Sequence, residues 1–165
     1  MSVLGHIAAA AAPWANFYND NLLAQTVVSF GHFGGMMVAG GSAVAADRGS
    51  LRITRRDQAA RLRHLAELSG THRIVLAALI VTALSGALMF AADIDNLVGS
   101  PWFWLKMSLL ALLLANGWAM SNVEQRLRES DAPEQLWTRL ERTAAASLAL
   151  WLAVVLAGTL LTNLA

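Results

Sequence analysis

Long apolar runs alternate with short polar connections along this chain. Four runs, residues 22–46, 73–92, 101–120 and 143–164, carry very few ionisable side chains. A helix rising 1.5 Å per residue needs about 20 residues to cross a hydrocarbon core of roughly 30 Å, and each run meets that length. The connections sort by sign. Every arginine falls in residues 47–73 or 121–142, whereas residues 93–100 carry Asp93 and Asp95 and no basic group. The positive-inside rule then places the two arginine-rich connections in the cytoplasm and both termini in the periplasm of a bacterial inner membrane.

Outside the spans the pattern predicts two further helices. Residues 1–20 hold a run of alanines, Pro13, Trp14 and Tyr18. That run lacks the basic start of a signal peptide and is too short to span. It reads as an interfacial helix with Trp14 and Tyr18 at headgroup level, and Asp20 as the N-cap of the first span. Asp57 to Leu68 places Ala60, Leu62, Leu65 and Leu68 on an apolar stripe with arginines outward. It reads as an amphipathic helix on the cytoplasmic surface, ended by Ser69-Gly70. Residues 93–100 read as a turn, with Ser100 capping a third span whose first turn holds Pro101 and an aromatic belt of Trp102, Phe103 and Trp104. The predicted fold is all-α: a single-domain integral membrane four-helix bundle over residues 1–165. It carries an N-terminal interfacial helix and an amphipathic cytoplasmic helix between spans 1 and 2.

Composition sharpens this. The chain is 56% hydrophobic and 14% charged, against about 25% charged in soluble domains, so lipid is the expected solvent. It has no cysteine, which removes disulfides, thiol catalysis, thiolate metal sites and covalent haem attachment. The net charge of +1 gives no reason to expect a nucleic-acid partner. No P-loop, dinucleotide fingerprint, nucleophile elbow or HExxH is present, and an electron-transfer or accessory subunit is expected over a self-contained enzyme.

Small residues crowd the first span. Gly31 and Gly35 form a GxxxG pair, and Ala78, Thr82 and Gly86 repeat at a spacing of four in the second. Such faces let helices approach closely, within one bundle or against protein partners or a second copy of the chain.

His32 sits about ten residues into the first span, or roughly 15 Å deep. An imidazole at that depth needs a partner. Three readings are open. The ring hydrogen-bonds a serine or carbonyl of a neighbouring helix; it ligates a b-type haem or another metal, with Gly31 and Gly35 admitting the group; or it lines a proton or ion path. His72 is the candidate second haem ligand. It lies at the cytoplasmic start of its span, however, and His32 is roughly 20 Å of helix from Asp47, which argues against one shared iron. Lys106 either snorkels to the headgroups or faces inward as a counter-charge to a haem propionate or quinone oxygen. Asn116 suits an interhelical hydrogen bond. Met36 and Met37 beside His32 suit copper or simple packing. His64, Glu67 and His72 form a weak surface metal pattern.

The set His32, Asp47-Arg48, Thr82-Ala-Leu-Ser-Gly86-Ala-Leu-Met-Phe90, Ser100-Pro-Trp-Phe-Trp-Leu-Lys106 and Asn116 resembles a group of small bacterial four-span membrane proteins of unknown function. That group is distantly similar to the membrane domain of the copper resistance D proteins. The resemblance covers most of residues 15–120 and implies a four-helix bundle, with copper handling or membrane redox association as looser implications. Three functions are therefore expected: a membrane redox subunit binding haem b or quinone near His32, a cofactor-free accessory subunit, or a copper- or ion-handling protein.

Overall fold

The computed structural model describes residues 3–53, 58–129 and 134–164. Six helices make up the described residues: α1 (Val3–Asp20), α2 (Leu22–Arg52), α3 (Gln58–Ala92), α4 (Ile94–Gly99), α5 (Pro101–Leu127) and α6 (Glu134–Leu164). Four of them, α2, α3, α5 and α6, are long and apolar enough to cross a membrane.

Their boundaries differ from the predicted spans in one consistent way. At 31, 35, 27 and 31 residues, each is longer than a bilayer requires. The excess lies at one end, where α2 and α5 finish and α3 and α6 begin. A separate amphipathic helix ending at Ser69-Gly70 is therefore not present: residues 58–92 form one continuous helix, and Asp57, its predicted first residue, lies outside the described residues. Packing explains the difference. Leu65 and Leu68 are each 1% exposed, in a cluster with Met120, Val123, Leu127, Leu136, Trp137, Leu140 and Ala144. Burying two leucines is worth several times the roughly 1 kcal/mol that a helical glycine costs. Ser69 turns its hydroxyl back onto Ala66 O at 2.7 Å. The arginine-rich end thus has a core of its own.

The N-cap of α2 is Asn21, not Asp20. Asn21 has extended backbone and accepts from Ala24 N–H at 3.0 Å, whereas Asp20 closes α1. Gln25 Nε2 reaches back to Tyr18 O at 3.1 Å and Asn19 O at 2.9 Å, satisfying carbonyls at the end of α1. Trp14 Nε1 donates to Leu88 O at 2.8 Å, so α1 is tied to α3. The predicted 93–100 turn contains the short helix α4. Ser100 takes the cap position of α5 and Pro101 its first turn, but the Ser100 hydroxyl makes no capping bond.

The long helices run antiparallel in the spatial order α3–α2–α6–α5. The α2–α3 contact is set by small residues. A Cβ on Gly35 would lie 2.9 Å from Ala78 O and against the Thr82 hydroxyl, and one on Gly31 would touch Ser85 and Val81. The GxxxG face of α2 and the Ala78–Thr82–Gly86 face of α3 therefore meet each other. At those positions the small residues serve contacts within the chain itself. A Cβ on Gly40 would lie 3.3 Å from the Trp151 ring, so the glycine brings α6 onto α2. A mid-span core of Ala39, Ala78, Leu113, Trp151 and Val154 follows. Large apolar side chains such as Phe30, Met37, Leu84, Trp118 and Leu152 point outward, as lipid-facing residues do.

Candidate functional site

Polar side chains inside the bundle gather at two levels. The first surrounds His32. Its Nδ1 lies 3.0 Å from Thr82 O and 3.3 Å from Ser85 Oγ. A carbonyl only accepts, so Nδ1 carries the proton and donates. The ring packs on Gly86, where a Cβ would come within 3.1 Å of Cε1. The arrangement found is the hydrogen bond to a neighbouring helix's carbonyl and serine, and Gly31 and Gly35 face α3, not an open space. Lys106 turns inward: its Nζ would lie 3.7 Å from a Cβ on Gly158 of α6. Asn116 Nδ2 donates to Thr143 O at 2.9 Å, an α5–α6 bond.

The second level lies at the arginine-rich end, ten residues from Thr82 along α3, or about 15 Å. There His72 Nδ1 is 3.0 Å from Leu68 O and 3.6 Å from Glu124 Oε2, while Ser121 Oγ is 3.2 Å from Nε2. Leu68 O requires the proton on Nδ1, so in the neutral ring Ser121 donates to Nε2. Ser147, on α6, faces the Asp47 carboxylate. Arg128 donates to Leu65 O and its charge bears on Glu124. Asp47 is 2% exposed and Glu124 4%. One oxygen of each, Asp47 Oδ2 and Glu124 Oε1, has no hydrogen-bond partner among the described residues. Carboxylates so buried are costly unless paired.

His32 and His72 thus belong to different levels and do not face one site. His64, from the weak surface pattern, is separate again: it is buried over Gly49 with Nε2 2.8 Å from Ser50 Oγ. Among the described residues no three His, Asp or Glu side chains converge as a metal site. Met37 is 76% exposed, on the outside of α2 and away from the His32 ring.

Between α3 and α5 the bundle is open. These two helices touch through His72–Ser121 and Leu65–Arg128 at the arginine-rich end, but stand apart beyond it. The space between them is a cavity of about 220 Å³. Val75, Leu79, Leu113 and Trp151 line it, Leu76, Leu114 and Trp118 form its lip, and Asp47, His72, Ser121 and Ser147 close its polar end. Leu76 and Trp118 are exposed, so the mouth faces sideways, toward lipid.

Sequence reasoning passed over Asp47, Ser121, Glu124 and Ser147 as site residues. A signal was present. Asp47 continues the buried line Ala39–Ala43 at a spacing of four, and Glu124 falls on the Met120–Leu127 face. No family model matches the chain, and no curated protein or solved structure is significantly similar to it.

Proposed function

We propose that this chain is an integral membrane protein that takes a small lipophilic molecule from the bilayer into the α3–α5 cleft. The molecule's apolar body lies against Val75, Leu79 and Trp151, and its polar head lies at Asp47. The observation that carries the reading is the cleft itself. It is apolar along its walls, polar only at its inner end, and open on the side that a lipid-soluble ligand would approach. The proposed setting is a bacterial inner membrane with the arginine-rich end cytoplasmic and both termini periplasmic, on the charge asymmetry of the connections. A haem or quinone at His32 has less support, because Gly31 and Gly35, which would admit the group, pack on α3; the Nδ1–H bond to Thr82 O is itself compatible with ligation through Nε2.

Native mass spectrometry of protein released from nanodiscs tests this. One small lipophile per chain is expected, lost when Gly117→Phe fills the cleft and kept in His32→Ala. Finding no such adduct, or the same adduct with the cleft filled, overturns the reading. An absorption spectrum of the same sample separates the haem alternative: a Soret band lost in His32→Ala would put the ligand at the first level instead.

A further inference from the structure

We propose that the head of the cleft's ligand is a protonated amine, with Asp47 as its counter-charge. This rests on the cleft being a ligand site, and it follows from a mismatch among the polar groups there. The hydroxyl and imidazole donors around the polar end are already engaged. His72 Nδ1–H points to Leu68 O, Ser121 donates to His72 Nε2, Thr71 donates to Glu67 O at 3.2 Å, and the Ser147 hydroxyl faces the Asp47 carboxylate itself. Acceptors are left over: Asp47 Oδ2, with no partner among the described residues, and the remaining lone pairs of Ser121 and Ser147. A quinone or ketone head brings more acceptors to that end. An ammonium brings three donors.

Charge points the same way. The titratable and charged groups packed there are Asp47 on α2, His72 on α3, and Glu124 and Arg128 on α5; the α6 residue facing Asp47 is Ser147, which carries no charge. Arg128 and the His72 ring both lie beside Glu124, His72 also bears on Asp47, and the two carboxyls are close enough to repel each other. With both carboxyls ionised and the ring neutral, two negative charges face one arginine, which leaves room for a further positive charge. Asp47, almost fully buried, gains most from it. Trp151 and Trp118 on the cleft's floor and lip add aromatic faces that attract an alkylammonium. The apolar walls set the rest of the molecule: a hydrocarbon or aryl body that reaches from Asp47 toward the α3–α5 mouth.

Calorimetric titration of the whole chain in phosphatidylcholine nanodiscs, with empty nanodiscs subtracted, tests this. The probes are 4-phenylbutylammonium, its neutral counterpart 4-phenylbutanol, and a short-chain benzoquinone, all at pH 7. The amine is expected to bind saturably and at least about tenfold more tightly than the alcohol or the quinone. Asp47→Asn is expected to erase that preference, whereas His32→Ala leaves it intact. The comparison of probes on the unaltered chain stands even if the Asp47 variant does not fold. Equal affinity for amine and alcohol, or a quinone bound more tightly than the amine, overturns the amine head while leaving the cleft as a site. Saturable binding by none of the three overturns both.

Discussion

Gly35→Ala tests the packing on which the bundle is built, with Gly34→Ala as its internal control. The two glycines are neighbours on α2. At Gly34 an added Cβ meets nothing within 4 Å; at Gly35 it meets Ala78 O at 2.9 Å, Thr82 N at 3.2 Å and the Thr82 hydroxyl. Replacing glycine by alanine in a helix favours the helix by up to about 1 kcal/mol, and that contribution is common to both variants. Their difference therefore isolates the clash. The neighbours at Gly35 include main-chain atoms of α3, which cannot rotate away, so α2 and α3 must separate by several tenths of an ångström. Overpacking of this kind costs about 1–3 kcal/mol. The separation also stretches the 3.0 Å His32–Thr82 bond one turn away. Reversible unfolding in bicelles, followed by steric trapping, is the measurement. Gly34→Ala is expected to be neutral or stabilising and Gly35→Ala to lie about 1–3 kcal/mol below it. Adding Thr82→Ala to Gly35→Ala is expected to recover only part of the loss, because the Ala78 carbonyl remains in place. If the two alanine variants agree to within about 0.5 kcal/mol, the helices are not held by this contact and the argument fails.

Other consequences can be measured alongside. His32→Ala removes an interhelical hydrogen bond and the ring packed on Gly86, and stability should fall by about 1–3 kcal/mol; an unchanged unfolding free energy would show that the bond contributes nothing. Trp14→Phe keeps the ring but removes the donor to Leu88 O, so amide exchange in residues 3–20 should speed up while α3 stays protected. Equal exchange in both proteins would refute the tie. At the arginine-rich end Arg61 meets Glu134 at 2.8 and 3.1 Å and lies 4.7 Å from the Trp137 ring centre. Glu134, more than half exposed, should cost about 0.2–1 kcal/mol on Glu134→Ala. Arg61→Ala should cost more, because it also uncovers Trp137; equal losses measured at one salt concentration would rule out a role for the ring.

How much of this was legible in the sequence follows from what each signal measures. Apolar length is a bulk property, so the four spans were readable from residues 22, 73, 101 and 143 onward. Their continuation past the bilayer was not. A rule that assigns charged stretches to loops reads Glu124 and Arg128 as surface, and it breaks a helix at Ser69-Gly70. Neither step weighs the burial of Leu65 and Leu68 against Trp137 and Leu140. Small-residue spacing showed that Gly31, Gly35, Ala78, Thr82 and Gly86 lie on close-packing faces, but not that the two faces meet each other, because the same pattern serves contacts inside and outside a bundle. His32 drew attention because a histidine at depth is rare. Asp47 was singled out only within the Asp47-Arg48 pair and not as a site residue, although it is the more deeply buried of the two, because it stands at a span's end where acids are ordinary.

The cleft has a structural origin in how unevenly the four interfaces are made. Glycine brings α2 within backbone contact of α3, and Trp151 wedges onto Gly40 to join α6 to α2. The Asn116 bond to Thr143 O and the Lys106 side chain laid over Gly158 join α5 to α6. Among the described residues no glycine joins α3 to α5: a Cβ added at Gly117 would meet nothing within 4 Å. What holds that seam is polar and confined to one end, through His72, Ser121, Arg128 and Leu65. Helices pinned at one end by hydrogen bonds, with no complementary surface farther along, diverge and leave a space. Lipid chains cannot hydrogen-bond the acid at its base, so that acid keeps an unmet partner as long as the space holds hydrocarbon. The pin therefore gives the cleft its shape, and Asp47 at its base gives it the demand for a donor.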